Sequence, residues 1–350
     1  MGKSHSLTIK AAGNPGPASH YLFDQMNIAA IEVWKTVPDT LGSLQLDTGC
    51  GPVLFSADWE DWSKAVITGI QETNLLYSSA SASQKLPVLA NLLSPKSVRP
   101  ILEIDISGSQ ATEQVLRQAG EIYLSFVFLA LNLAAPGCAD FWSLRIDDET
   151  NHTALGYSND LLAGGWEEGL ELGWPPIAPL DLSRVVEWLV VNEFFKGQVA
   201  SSRQQRVIYA LLNLCRAGEA GPPGAIWLAH AMEALVDSPS SRISALLKDR
   251  LFLLLGSPEH SSRKIRKLFN EFYNLRSRVV HGSFNVCHPA CNQVLDKKVN
   301  DYRAEFSASL SFASAIVVSA LQMMILEKWS EVSFKEKLVP TVAPPKNSPV

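Results

Sequence analysis

The chain has 350 residues, of which 47% are apolar and 19% charged, and its formal net charge is −5. This composition excludes a disordered or fibrous chain and is typical of globular proteins, and the length predicts two domains that can each bury a core. The five cysteines are an odd number and mostly scattered, and no signal segment opens the chain, so a reducing, cytoplasmic location is expected.

The N-terminal part, residues 1–157, is predicted to form an α+β module. Strand-like runs occur at 7–10, 53–56, 100–107 and 139–146, and the third alternates apolar and polar positions. A helix predicted for 112–135 interrupts this series of strands.

Residues 158–181 are rich in glycine, proline and tryptophan and are predicted to be a loop that marks a domain boundary. Gly164, Gly165 and Gly169 lack both the Lys-Ser/Thr of a phosphate-binding loop and the full spacing of a dinucleotide fingerprint. No nucleotide cofactor is therefore expected.

Residues 182–336 have a helical pattern. Ser183 is a candidate N-cap, Ser202 and Gln205 form a candidate capping box, and Gly256 and Gly282 are placed to end helices. The predicted helices span 183–195, 202–215, 226–236, 238–256, 257–281 and 293–329. The proline-rich end, 337–350, is predicted to be disordered.

The uncharged stretch Phe306 to Leu326 is long enough to cross a membrane. Its apolar positions, including Leu310, Val317 and Leu321, recur at helical spacing, and the stretch also contains five serines and Gln322. A buried helix or a helical dimer seam is expected, and no membrane partner.

Charge is distributed unevenly along the chain. Residues 203–281 carry 12 Lys and Arg against 6 Asp and Glu, a local charge of +6 in an acidic protein. Such a segment suits a polyanionic partner such as RNA, although a solvated helix surface has the same pattern.

The helix predicted to end at His281 has a core-facing stripe at three- and four-residue spacing, and Arg276 and His281 lie off that stripe. The run from Phe272 to Gly282 resembles the Y-x-x-R-S-x-x-V-H-G core of ApeA-like HEPN domains, with the R-x4-H pair of HEPN ribonucleases. Upstream, 226–235 resembles the family's helix ending in A-L-E-A-L, with Met232 in place of leucine, and Arg250 resembles the arginine of the intervening helix. The resemblance covers about 200–330.

The resemblance implies an all-α HEPN-type bundle with metal-independent endoribonuclease activity and no cofactor. His281 would be the acid–base group that moves the protons of the ribose 2'-hydroxyl and the leaving 5'-oxygen, and Arg276 would hold the phosphate oxygens. The resemblance also implies an effector of antiphage defence or a toxin. Because an unregulated ribonuclease would harm its host, residues 1–157 are expected to act as a control module that senses a phage or host trigger.

Helix geometry adds a constraint on the Arg276 and His281 pair. Five residues leave the two side chains about 140° apart on one helix, so both do not readily meet one phosphate. A homodimer through the HEPN helices, which is usual for the resembled family, supplies a second pair.

Supporting or RNA-binding roles are expected for eight further residues: Arg250, Glu233, Lys264, Lys267, Tyr273, Asn274, Ser277 and Arg278. Three of them have a plainer alternative. Glu233 orients a cation or is simply buried and paired, Tyr273 contacts RNA or belongs to the core, and Arg278 binds phosphate or is solvated.

Three alternatives to this interpretation stay open. Cys287, His288 and Cys291 are potential metal ligands, but three adjacent ligands without a second pair favour a loop, so no metal is expected. The chain could also be a non-catalytic RNA- or nucleotide-binding protein, or a scaffold that dimerises through Phe306 to Leu326.

Overall fold

The computed structural model describes residues 5–13, 24–49, 51–78, 81, 85–86, 88, 101–109, 111–147, 152–216, 221–237, 243–260, 262–288 and 296–335. The predicted tail at 337–350, the helix starts predicted at 238 and 293, and Cys291 lie outside these residues. Within them an antiparallel sheet is followed by a mostly helical region, which confirms the coarse prediction of an α+β part and a helical part.

The N-terminal sheet has six strands in the described residues, in the order β2-β3-β4-β1-β5-β6. Their bounds are β1 His5–Ala12, β2 Ser43–Asp47, β3 Pro52–Ala57, β4 Ile101–Gly108, β5 Arg145–Asp147 and β6 His152–Ala154. In the central strand β4 buried Leu102, Ile104 and Ile106 alternate with exposed neighbours, as the sequence pattern predicted. One face of the sheet therefore packs on the core.

Two long helices in this part were not predicted, namely α1 (Asp24–Leu41) and α2 (Glu60–Tyr77). The strand predicted at 139–146 is wrong over most of its length. Only a single bridge joins Phe141 to Tyr157, and the regular strand is the three-residue β5.

Helix α3 (Glu113–Ala134) confirms the helix predicted for 112–135 and connects the sheet to the rest of the core. Its buried Tyr123 donates a hydrogen bond to the Leu41 carbonyl oxygen (2.8 Å) and accepts one from Trp59 Nε1 (3.1 Å). Every residue from Tyr123 to Ala134 is buried, because α3 is enclosed by the sheet on one side and by helices on the other.

The loop predicted for 158–181 is wrong over 160–172, where helix α4 (Asp160–Leu172) forms. Its glycines are packing residues rather than turn residues. A Cβ on Gly165 would lie 2.9 Å from the backbone nitrogen of Ala315, and a Cβ on Gly164 would lie 2.7 Å from Ser311 Oγ. The glycines thus allow two helices to approach closely.

The remaining helices are α5 (Leu182–Val191), α6 (Arg203–Arg216), α7 (Pro222–Leu235), α8 (Ile243–Leu255), α9 (Ser262–Val280) and α10 (Lys297–Leu326). The capping box at α6 is confirmed, since Gln205 N donates to Ser202 Oγ (3.1 Å) and Ser202 N donates to Gln205 Oε1 (3.2 Å). The N-cap of α5 is Asp181, not Ser183.

Helix α10 is the central helix of this region and contacts α4, α7, α8 and α9. It is the one helix in the described residues that is long and apolar enough to cross a membrane, and 89% of its apolar window is buried within the protein. This burial matches the predicted core helix and leaves Phe306 to Leu326 little surface for a dimer seam. Gln322 Nε2 donates to the Leu133 carbonyl oxygen (2.9 Å), so the core continues from α10 into α3.

Candidate functional site

The site predicted from the sequence lies at the C-terminal end of helix α9. The core-facing stripe is confirmed, since Ile265, Phe269, Phe272 and Leu275 are buried, and Leu268 and Val279 are half-buried. This stripe fixes the rotation of α9 about its axis, and the rotation decides where each polar side chain points.

The end of α9 is closed by a left-handed glycine. Gly282 has φ +69°, its N–H donates to the Val279 carbonyl oxygen (3.4 Å), and Ser283 N donates to the Arg278 carbonyl oxygen (3.0 Å). These two bonds form a Schellman cap. The predicted helix end is confirmed, and His281 lies at the C-cap with its side chain exposed.

Arg276 points towards helix α7. Its Nη2 lies 3.7 Å from Glu233 Oε1, and the two side chains are 32% and 25% exposed. The structure thus pairs Glu233 with Arg276 as an ion pair longer than a hydrogen bond, and both roles predicted for Glu233 stay open.

Tyr273 belongs to the same partly buried cluster. Its hydroxyl and Glu233 Oε1 are buried and have no hydrogen-bond partner among the described residues. Burial raises the pKa of Tyr273, the Glu233 carboxylate raises it further, and Arg276 partly opposes both effects. The hydroxyl is enclosed, so this residue is a packing residue more than a surface contact.

No hydrogen bond or ion pair joins Arg276 to His281 within one chain. The Arg276 guanidinium contacts α7, whereas His281 is exposed at the capped end of α9, about 140° around an ideal helix from Arg276. A phosphate bound at His281 therefore needs cations other than the same chain's Arg276.

Three more predicted residues, Asn274, Ser277 and Arg278, are exposed on the side of α9 that faces α10. They line a cleft of about 1030 Å³ between the two helices. The Arg278 guanidinium lies 5.5 Å from the ring centre of Phe284, which follows the glycine cap. Phe284 and its aromatic neighbours on α10 were missed by sequence reasoning.

The other predicted residues lie apart from the Arg276 and His281 end. Arg250 Nη1 donates to the carbonyl oxygens of Val236 (2.7 Å) and Asp237 (2.5 Å), so it satisfies the end of α7 rather than facing a substrate. Lys264 and Lys267 are exposed on the first half of α9, and Lys267 Nζ lies 3.3 Å from Glu271 Oε1.

Among the residues that the structure describes, no group of three or more His, Cys, Asp or Glu side chains is arranged to hold a metal ion. Cys287 is half-buried and is not in a disulfide.

No protein-family model matches the sequence, and no curated protein or solved structure is significantly similar to the chain.

Proposed function

We propose that the protein is a metal-independent endoribonuclease of the HEPN type, with His281 and Arg276 as its catalytic residues. The observation that carries the proposal is the end of α9, where the Schellman cap holds an exposed histidine next to a helix rich in cations. The resemblance of the sequence from Phe272 to Gly282 to HEPN domains supports RNA cleavage as the reaction at this end of α9.

The chemistry follows from the two side chains. An imidazole accepts and returns protons near neutral pH, so His281 takes the proton of a ribose 2'-hydroxyl and protonates the leaving 5'-oxygen. The attacked phosphate gains negative charge, and a guanidinium stabilises it with two parallel hydrogen bonds. The products are a 2',3'-cyclic phosphate and a 5'-hydroxyl.

Cations along α9 supply the affinity for RNA. Arg263, Lys264, Arg266 and Lys267 are all exposed on its first half. Phosphate contacts of this kind position a strand without reading its sequence, and they weaken with salt.

The site is completed by a second copy of the chain. Arg276 and His281 diverge on one helix, and exposed apolar side chains flank His281, with Val280 at 50% and Val286 at 71% exposure. A two-fold contact at this end places the arginine of one chain opposite the histidine of the other.

A ribonuclease that acts in its own cytoplasm requires control, and the N-terminal α+β part provides a surface for it. This part senses a phage or host trigger, in keeping with an effector of defence or a toxin. Side chains of α3 and α10 belong to one core and Gln322 donates a hydrogen bond to Leu133, so the two parts are packed directly against each other.

A second candidate is a non-catalytic RNA-binding protein. The observation that favours it is the Glu233 carboxylate 3.7 Å from Arg276, which partly neutralises the guanidinium that catalysis requires. This candidate predicts salt-sensitive RNA binding that is unchanged in His281→Ala.

Incubation of the full-length protein with RNA, followed by analysis of the product ends, separates the two candidates. Wild type is expected to release 2',3'-cyclic phosphate ends, and His281→Ala and Arg276→Ala are each expected to lose this activity. His260→Ala, an exposed histidine just before α9, is the matched control. Equal product in wild type and His281→Ala rejects catalysis by this site.

A further inference from the structure

The cleft between α9 and α10 has the lining of a base-binding site. Its volume of about 1030 Å³ is at the upper end of the range of small-molecule pockets. Its walls come from three places: the exposed side of α9, the segment after the glycine cap, and the first turns of α10. It lies beside the proposed catalytic residues and includes neither of them.

An aromatic cluster forms one wall of the cleft. The ring centres of Phe284 and Tyr302 are 5.5 Å apart, those of Phe284 and Phe306 are 5.6 Å apart, and Tyr302 and Phe306 stack at 6.2 Å with 14° between their planes. Phe306 is buried, whereas Phe284 and Tyr302 are half-buried and present part of their ring surface to the cleft. Aromatic rings at such a surface offer stacking to an unpaired base.

The charges of the cleft argue against a simple phosphate site. Arg278 and Lys298 are balanced by Glu271 and Asp301, so the lining has no net formal charge. Two carboxylates repel a phosphate, but they accept hydrogen bonds from the amino and imino groups of a base.

Uncharged polar groups complete the lining. Asn274, Asn285 and Ser277 contribute amides and a hydroxyl, which donate to and accept from the edge of a base. Aromatic faces combined with amides and carboxylates match a nucleobase better than they match a phosphate or an apolar chain.

We propose that this cleft binds an unpaired nucleobase of the RNA strand, next to the phosphate that His281 attacks. The proposal rests on the proposed function, because the ligand is the same RNA. Ser277 in the cleft wall is one turn before His281, about 6 Å along the helix axis, so the bound base belongs to a nucleotide at or beside the cleaved bond. The cleft thereby selects single-stranded RNA, since a paired base cannot enter it.

The experiment measures binding in the His281→Ala background, in which the proposed function leaves the RNA intact. Short oligouridines that carry a single 2-aminopurine, moved through successive positions, report stacking by fluorescence quenching. One position is expected to be quenched on binding, and Tyr302→Ala is expected to abolish that quenching. Tyr302→Ala should also weaken RNA binding on the order of tenfold, whereas Tyr302→Phe, which keeps the ring, should bind as the parent does.

An abasic substitution at the quenched position separates stacking from a folding defect. Abasic RNA is expected to bind the parent as weakly as intact RNA binds Tyr302→Ala, with no further loss when both changes are combined. Equal weakening of intact and abasic RNA by Tyr302→Ala, or the same affinity in Tyr302→Ala as in the parent, would overturn the proposal. Tyr77→Ala, an exposed tyrosine on α2, is the matched control.

Two further results separate base binding in the cleft from the proposed ribonuclease activity. They also show whether the ligand of the cleft is RNA or a free nucleotide. If quenching depends on the position of the base but wild type does not cleave RNA, base binding in the cleft is supported and ribonuclease activity is rejected. If wild type cleaves RNA but no position is quenched, ribonuclease activity is supported and base binding in the cleft is rejected. Saturation of the cleft by adenosine or guanosine monophosphate with the affinity of RNA would overturn RNA as the source of the base.

Discussion

The close packing of α4 on α10 gives a quantitative prediction. A methyl group added at Gly165 lies 2.9 Å from the backbone nitrogen of Ala315, 3.1 Å from Ser314 Oγ and 3.2 Å from Ser314 Cβ. The first of these distances is too short for any carbon–nitrogen contact of this kind, and a backbone atom inside a buried helix cannot swing away. Gly165→Ala therefore forces the two helices apart.

Gly69 in the middle of α2 is the matched control, because a methyl group there meets no atom within 4 Å. Both substitutions gain about 0.5–1 kcal/mol from helix propensity and reduced unfolded-chain entropy. Overpacking at Gly165 costs about 1–3 kcal/mol more. The difference between the two variants isolates this cost.

Urea unfolding of the two variants beside wild type measures that difference. Gly69→Ala is expected to be slightly more stable than wild type, and Gly165→Ala should be less stable than Gly69→Ala by about 1–3 kcal/mol. Equal gains in both variants would refute the close approach of α4 to α10 at Gly165.

Three further predictions concern a cap, a buried hydroxyl and the glycine that positions His281. Asp181→Ala should cost about 1 kcal/mol at neutral pH. A hydrogen bond from Ser183 lowers the Asp181 pKa in the folded protein, so this stabilisation is present above the unfolded-state pKa and is lost as the pH falls through the folded-state pKa. The free energies of unfolding of wild type and variant should therefore differ more at pH 7 than at pH 3. An equal difference at both pH values would contradict the cap. Tyr273→Phe removes a buried hydroxyl without a partner and should leave the free energy of unfolding unchanged or raise it by up to about 1 kcal/mol, whereas a loss would reveal a hydrogen bond. Gly282→Ala should cost about 1 kcal/mol because of its φ of +69°, and Gly282→Asn should cost less; equal stability of all three proteins would argue against the left-handed cap.

The sequence predicted those helices and strands in which apolar residues recur at a regular spacing. The alternation in β4 and the stripe of α9 both reflect one buried and one exposed face, so each could be identified from its own residues. Helix α4 could not be identified in this way, because glycines in a short stretch of sequence usually indicate a turn. Only the position of Ala315 on a distant helix explains why glycine is needed inside α4.

The candidate site was predictable in part for the same reason. Gly282 ends α9 through bonds within its own turn, so the exposed position of His281 followed from the sequence. The contact of Arg276 with Glu233 depends on how α7 packs against α9, and the sequence left two roles open for that glutamate. The cleft was missed because Phe284 and Tyr302 are separated in sequence and meet only when α10 folds back along α9.

The central claim is that two chains share one RNA-cleaving site. The most direct test of this claim is to mix two inactive variants. Arg276→Ala and His281→Ala are each inactive alone in this account. Mixed in equal amounts and allowed to exchange subunits, they should regain about a quarter of wild-type cleavage, since half of the dimers are mixed and each mixed dimer has one intact site of two. A chain carrying both substitutions should restore nothing to either partner. No cleavage in the mixture, while wild type releases cyclic-phosphate ends, would contradict the shared site.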